Sequence, residues 1–456
     1  MKKILLPLFL LLVVAVNAQT SDSVAVKKIV DEVMTNGKAY ENLRVLCKQI
    51  GARLSGSPQA QKAVDATQKM LKAAGADTVY LQPCMVPHWI RGEKEQGKIM
   101  LDKNQSFDLH LCALGNSEGT GAKGITAEVV EVNSFDELEK LGVAGIKGKI
   151  VFYNFPMNPT YITTFRAYGE SGVSRTRGPS RAAKLGAIGV MVRSLASNPD
   201  DHPHTGVTVY NDSFPKIPAV AISTNDAERL SIELTTHEHV KAFFRTTSKM
   251  LPDVPSFNVV GEIRGSEKPE EIITVGGHLD SWDLAEGAND DGSGAVQSIE
   301  IIRALKASGH SPKRTVRAVM FMNEENGGRG GEKYAELAKA KNEKHIFALE
   351  SDAGGFTPRG FGMQMTDAQF DKMMKWKALF YPYGVYDFSR GGGGSDIGPL
   401  KDLGAALVGL SPDSQRYFDI HHASTDVFEN VSRRELHLGA ANMAALVWLV
   451  SEYGIN

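Results

Sequence analysis

Cysteine is almost missing from this 456-residue chain, which carries three: Cys47, Cys84 and Cys112, all in the first quarter. An odd number without C-x-x-C spacing excludes a disulfide framework and a thiolate-held zinc site, and leaves one optional disulfide open. Any metal would have to be held by histidine and carboxylate. An excess of charge is missing too. The 51 Lys+Arg against 53 Asp+Glu leave a formal net charge of −2. With no long run of either sign, nothing points to nucleic acid or an anionic membrane as a partner. Low-complexity tracts are absent, and 42% hydrophobic with 23% charged residues is an ordinary globular composition, neither disordered nor fibrous.

Long apolar runs are absent except at the start. Lys2 and Lys3 precede an apolar stretch from Ile4 to Val16, and Val16-Asn17-Ala18 precede Gln19. A charged start, an apolar middle and a small-residue cleavage site read as a secretory leader over residues 1–18. The stretch is shorter than the ~20 residues a membrane-spanning helix needs, and no cysteine near the cleavage site offers a lipid anchor. The expectation is a mature chain from Gln19, exported to the periplasm or the cell exterior as a soluble protein without a membrane anchor.

The length exceeds the ~250–300 residues at which single cores stop growing, so two or three domains are expected. In residues 19–116, Val26, Ile29, Val30 and Val33 recur at helical spacing, Ala60 to Ala73 is rich in helix formers, and Thr78 to Leu81 reads as a strand. Residues 117–249 change texture. Short apolar runs at Ala127 to Val132, Lys149 to Tyr153, Ala187 to Val192 and Ile217 to Ile222, with one helix-like stretch at Ser180 to Leu185, predict a small β-rich module inserted into a larger domain. The segment Gly148 to Phe152 followed by "SRAAKLGAIGVMV" resembles a protease-associated domain.

Residues 250–456 form the main part of the larger domain. Strands are predicted at Ile272 to Val275, Val316 to Met322, His345 to Leu349 and Ala405 to Leu410. Helices are predicted at Ser293 to Ala307, Glu332 to Lys341, Asp367 to Tyr381 and Arg433 to Tyr453. This alternation predicts an α/β fold with a mainly parallel sheet covered by helices on both faces. In such sheets ligands bind outside the carboxyl ends of the strands.

The residues after the strands are "GGHLDSWD", "GANDDGSG", "NEENGG", "ESDAGG" and "FDIHHASTD", each with a histidine or carboxylate where ligands bind. His278 alone would pass for a solvated loop histidine, but Asp280 two residues on can accept the ring N–H that a metal does not use. Of Asp290 and Asp291, a helix cap accounts for one; a bridging carboxylate would hold two metals ~3.5–4 Å apart. Glu324 and Glu325 point apart at a strand end, so one can bind metal while the other faces substrate. Asp352 lies nearer the glycine turn than Glu350. His421 and His422 precede Asp426, a further supporting or capping acid. Together these supply an oxygen and nitrogen donor set that suits zinc and would accept cobalt or manganese. His202, His204, His237 and His239, all in the inserted module, read as surface loop histidines. Trp282 sits beside His278 in sequence and is a candidate wall of the substrate cleft.

These five ordered motifs, with the N-terminal "GARLSGSPQAQKAV" and the inserted module, resemble the co-catalytic zinc aminopeptidase family, most closely its carboxypeptidase Q-like members, over nearly the whole mature chain. The resemblance implies two zinc ions per chain. His278, Asp290 and Asp352 would hold one, and Asp290, Glu325 and His422 the other, with Asp290 as the bridge. It further implies that Asp280 orients His278 and that Glu324 is the general base acting on the water between the metals. The family's D-x-x-S-G spacing selects Asp290 over Asp291, and the acid four residues later selects His422. Relatives are expected to use a tyrosine to stabilise the oxyanion. His421 stands near that position here and is a candidate substitute. The loop "SRGGGGSDIGPL" resembles a substrate-side loop of the family, which makes Ser395 and Asp396 further candidates. The implied activity is exopeptidase cleavage of short peptides or dipeptides, and carboxypeptidase Q-like members further imply a homodimer. A glutaminyl cyclase-like enzyme, typically with one zinc, or a non-catalytic binding relative are the alternatives. The complete set of ligands weighs against both.

Overall fold

The computed structural model describes residues 5–102 and 105–455, with side chains described from residue 21 onward. The leader expected over residues 1–18 therefore lies outside the described residues in its side chains, and residues 1–4 lie outside them altogether. Among the described residues no helix is long and apolar enough to cross a membrane.

Two eight-stranded sheets organise the chain. At the centre of the first are four strands, β1 (Lys268–His278), β2 (Arg314–Phe321), β3 (Lys344–Glu350) and β4 (Ala406–Pro412). They run mutually parallel in the order β2-β1-β3-β4. Every residue of β2 is buried, as expected of a strand covered on both faces. The helices α1 (Ser293–Ala307) and α2 (Arg433–Tyr453) cover one face. They share a core with Val26, Ile29, Val30 and Val33 of the N-terminal helix, so the helical spacing seen in the sequence marks the face that packs. Each side chain such as Leu305, which is fully buried there, contributes about 1.5–3 kcal/mol relative to exposure. Tyr334 and Ala335, on the helix Arg329–Ala340, close the other face over Val319 and Phe321.

This sheet, predicted to be mainly parallel, is mixed. Lys249–Ile263 runs antiparallel to β2, Thr78–Ile90 runs antiparallel to Lys249–Ile263, and Pro358–Gln364 runs antiparallel to β4 with Asp387–Arg390 beyond it. Prolines hide Lys249–Ile263 in sequence and leave only the start of Thr78–Ile90, at Thr78 to Leu81, to be read as a strand. Pro252 and Pro255 fall where Lys249–Ile263 has left β2 and pairs only with Thr78–Ile90, a ribbon that tolerates missing N–H donors.

The second sheet also has a parallel centre, formed by Ile125–Val132, Ile150–Tyr153, Gly189–Arg193 and Ala219–Ile222 in that order. Lys241–Arg245, Gln96–Met100 and Ser106–Asp108 extend one side and Leu111–Ala113 the other, all antiparallel. Two expectations need correction. The sheet recruits three short strands that precede residue 117, so the module begins nearer residue 96. It is also α/β rather than β-rich, because the helices Phe135–Ile146, Gly178–Lys184 and Thr224–Thr236 accompany its strands. Two of these helices carry readable starts: the side chains of Ser134 and Ser223 accept the N–H groups of Glu137 and Asp226, the pattern of an N-cap.

Candidate metal centre

β1 delivers His278 at its carboxyl end, with 1% of the residue exposed. Its Nδ1 lies 2.9 Å from the main-chain oxygen of Asp280, whereas the nearer oxygen of the Asp280 carboxylate is 3.8 Å away. The ring is thus oriented by the carbonyl of Asp280 and not, as expected, by its carboxylate. That carboxylate accepts the N–H groups of Asn323 at 2.7 Å and Glu324 at 3.1 Å, so it fixes the chain where it leaves β2. The other ring nitrogen, Nε2, faces Asp290 Oδ1 at 3.1 Å and Asp352 Oδ1 at 3.3 Å.

Asp290 and Asp291 divide the roles that sequence leaves open. Asp291 accepts the N–H of Gly294 at 2.9 Å in the first turn of α1, and the N–H of His278 at 3.1 Å; it is the cap. Asp290 turns into the site, with Oδ1 toward His278 and Oδ2 3.1 Å from His422 Nε2 and 3.5 Å from His421 Nε2. Asp426 accepts the N–H groups of Asn289 at 2.8 Å and Asp290 at 3.1 Å, holding the backbone that aims this carboxylate.

Glu325 and His422 meet at 3.1 Å, and the second oxygen of Glu325 accepts the main-chain N–H of Trp282 at 3.1 Å. His421 stacks on His422 with ring centroids 3.6 Å apart, so both histidines present nitrogen on the same side of Asp290. Trp282 lines a small pocket together with Asp290, Glu325 and His422. It is buried, edge-on to Trp89 and to His422, and it lies so close over Gly115 that a Cβ there would sit 1.8 Å from the indole. Asp396 is equally buried, and neither of its carboxylate oxygens has a hydrogen-bond partner; Ser395 beside it is exposed. The glycine-rich loop thus folds Asp396 inward. Glu324 is half-buried and lines a cavity of about 580 Å3 between the two sheets, opposite Asn116, Val207, Val209 and Tyr210 of the second module.

Electrostatics decide what this centre can hold. The ion pairs of Asp290, Asp352 and Glu325 are with histidines, not with lysine or arginine. Burial, and then the charge of Asp290, push Glu325 up to about 8; burial pushes Asp352 up to about 6. Burial pulls His278 and His422 down, but the neighbouring acids outweigh it and hold both well above the ordinary imidazole value. Protons thus sit where cations would. His278, Asp290 and Asp352 form one group whose ligand atoms could share a metal ion, and Asp290, His421 and His422 form a second. Buried carboxylates that lack a countercharge, together with imidazole nitrogens, fit zinc. The three cysteines are free and buried and take no part.

Sequence reading passes over two supports. Arg53 is fully buried, and its guanidinium donates to the main-chain oxygens of Leu279, Glu286 and Gly287. It clamps the loop between His278 and Asp290; within "GARLSGS" nothing but the family resemblance marks it. His204, expected at the surface, is 2% exposed, and burial pushes its pKa down to about 3. His202, by contrast, is exposed, and His239 pairs with Glu128 at the surface as expected.

The model of peptidase family M28 matches residues 258–447. Carboxypeptidase Q of Bos taurus is 37% identical over 416 residues, 91% of this chain and 84% of the relative, and that of Homo sapiens is 37% identical over 432 residues, 94% and 88%. Among solved structures, a peptidase M28 precursor from Shewanella amazonensis superimposes with a TM-score of 0.90 at 30% identity, covering 95% of this chain and 97% of its own. A zinc aminopeptidase from Bacillus subtilis shares the fold, with a TM-score of 0.64 at 20% identity and coverage of 90% and 94%.

Proposed function

This chain belongs to peptidase family M28 and is a zinc metallopeptidase, and from that premise we propose an exported two-zinc exopeptidase that removes N-terminal residues from short peptides or splits dipeptides. The observation that carries this reading is the Asp290 carboxylate, whose two oxygens face different histidines at 3.1 Å each, His278 and His422. Asp352 stands on the His278 side and Glu325 on the His422 side. His278, Asp290 and Asp352 would hold one zinc; Asp290, Glu325 and His422 the other, with His421 as a further nitrogen beside them.

Zinc supplies Lewis acidity, polarising the scissile carbonyl and making water acidic enough to attack at neutral pH. The chain's own residues do the rest. Glu324 lines the cavity beside the ligands and is the base that takes the proton from water and passes it to the departing amine. Asp280 holds the main-chain N–H groups of Asn323 and Glu324, so the base is presented from a fixed backbone. The substrate lies in the cavity of about 580 Å3 between the two sheets. The second module, which resembles a protease-associated domain in sequence, forms the far wall of that cavity. His421 is a candidate donor to the oxyanion. Export rests on the N-terminal leader pattern, and a homodimer on the carboxypeptidase Q relatives.

The test is a zinc count on the purified chain together with hydrolysis of free and end-blocked dipeptides before and after chelation. Two zinc ions per chain and cleavage of free dipeptides that chelation abolishes are expected. Two bound ions with no peptide cleaved would overturn the exopeptidase reading.

A further inference from the structure

The His421-His422 pair is held from behind by a segment of the other sheet's module. The N–H of Thr205 donates to the main-chain oxygen of His422 at 3.0 Å. The main-chain oxygen of Thr205 lies 3.2 Å from His422 Nδ1, the ring nitrogen turned away from Asp290. His204 Nδ1 lies 2.6 Å from the main-chain oxygen of His421. A carbonyl can only accept, so His204 Nδ1 carries a proton. The Thr205 oxygen calls for one on His422 Nδ1 as well; Arg175 Nη1 lies 3.4 Å from that nitrogen but makes its shorter contact, 3.2 Å, to the Thr205 oxygen, so the protonated Nδ1 is the tautomer that leaves Nε2 available to a metal. His422 also has φ of +62°, a conformation that a non-glycine residue keeps only when its surroundings hold it there.

The segment that does this is itself tied down. Thr205 Oγ1 donates to Ala113 at 2.9 Å, and the N–H of Gly115 donates to Gly206 at 3.0 Å. Arg175 Nη1 donates to the same Thr205 oxygen at 3.2 Å, and Arg175 packs so closely on Gly206 that a Cβ there would lie 2.3 Å from the guanidinium carbon. The other nitrogen of His204, Nε2, is buried without a partner. Among the described residues, the ring's one hydrogen bond is therefore the one to the main chain of His421.

We propose that the second module is part of the metal centre, with His204 as a positioning residue: it and the Thr205 main chain set the tautomer and placement of His422, and so the affinity of the zinc that His422 would hold. This rests on the two-zinc reading above. It makes the module more than a wall of the substrate cavity, because a shift of that module would be felt as metal affinity.

The test is stepwise zinc uptake by the metal-stripped full chain, in competition with a chromogenic chelator, for His204→Leu and His204→Asn. Asparagine places an amide N–H near the position of Nδ1, and leucine has no donor. His204→Leu should weaken one of the two binding steps by roughly 10–100-fold and leave the other unchanged, while His204→Asn restores most of the loss. Two unchanged steps would overturn the proposal, as would equal weakening of both with a lowered melting midpoint of the zinc-free chain. If His204→Leu does not fold, Thr205→Val, which frees the segment from Ala113 without touching either ligand, must show the same one-step loss in smaller measure. An unaltered chain that binds fewer than two zinc ions would instead overturn the zinc reading beneath, leaving the two failures distinguishable.

Discussion

The two sheets share a plan, four parallel strands flanked by antiparallel ones, yet only one gathers chemistry at its strand ends. In the second sheet the residues just past the parallel strands satisfy one another. Asn154 donates to Glu131 at 2.7 Å, Ser194 donates to the main chain of Ile222 at 2.7 Å, and Ser134 and Ser223 cap helices. In the first sheet the corresponding positions hold His278, Glu324, Glu325 and Asp352. Around them Asp280 Oδ2 and Glu350 Oε1 are buried without hydrogen-bond partners. Native interiors rarely leave such atoms bare. The fold supplies the place, at the carboxyl ends of parallel strands; the unpartnered acceptors make it a site.

If that contrast is right, substitutions at matching positions must separate by kind. The largest effect is expected for Glu324→Gln, which keeps shape and removes the base: turnover of a free dipeptide should fall by roughly 10²–10⁴ with zinc content unchanged. A variant with near-normal turnover would move the base elsewhere. Next comes Asp280→Ala, which frees the N–H groups of Asn323 and Glu324 while leaving the carbonyl that orients His278. A loss of roughly 10–100-fold in activity, carried by kcat more than by KM, is expected from steady-state kinetics. The matching residue of the quiet sheet is Ser223. Ser223→Ala should cost about 1 kcal/mol of stability by denaturant unfolding and leave turnover alone. A catalytic loss there would blur the line between the two sheets.

How far the sequence carries differs in the same way. The four central strands are legible because each carries a continuous apolar run, as with "AVMFM" two residues before Glu324. The flanking strands are less so, because Pro83 cuts the one read at Thr78 to Leu81 short, and Pro252 and Pro255 look like breaks. The candidate metal-holding residues are legible as a set, since five segments beyond the strand ends carry them. What each does is not: Asp280 reads as the partner of His278 through its carboxylate, and only the folded loop shows that its carbonyl takes that part. His204 is the clearest loss. Nothing local separates it from the exposed His202, and its contact with His421 spans 217 positions along the chain. A spacing rule reads neighbours, and this neighbour is brought in by the packing of one sheet's module against the other.

The smallest expected effect sharpens the contrast inside the first sheet itself, at the opposite end from the ligands. There Glu343 is an acid with partners: Arg317 at 2.8 Å and His345 at 3.2 Å. Burial alone would raise its pKa, but hydrogen bonds from His345 and Arg317 outweigh it and bring the carboxyl down to about 2 from 4.5. A folded-state pKa below the unfolded one stabilises the protein above the unfolded value, and that contribution disappears as the pH falls through the folded one. Glu343→Gln should therefore lower stability at pH 7 by less than about 1 kcal/mol, the range for a partly exposed ion pair. The gap between the two chains, followed by thermal melting, should narrow as the pH drops from about 4.5 toward about 2. A gap that stays constant over that range would mean that the stabilisation comes from packing rather than charge. Glu343 would then no longer stand as the partnered counterpart of the acids that face Asp290.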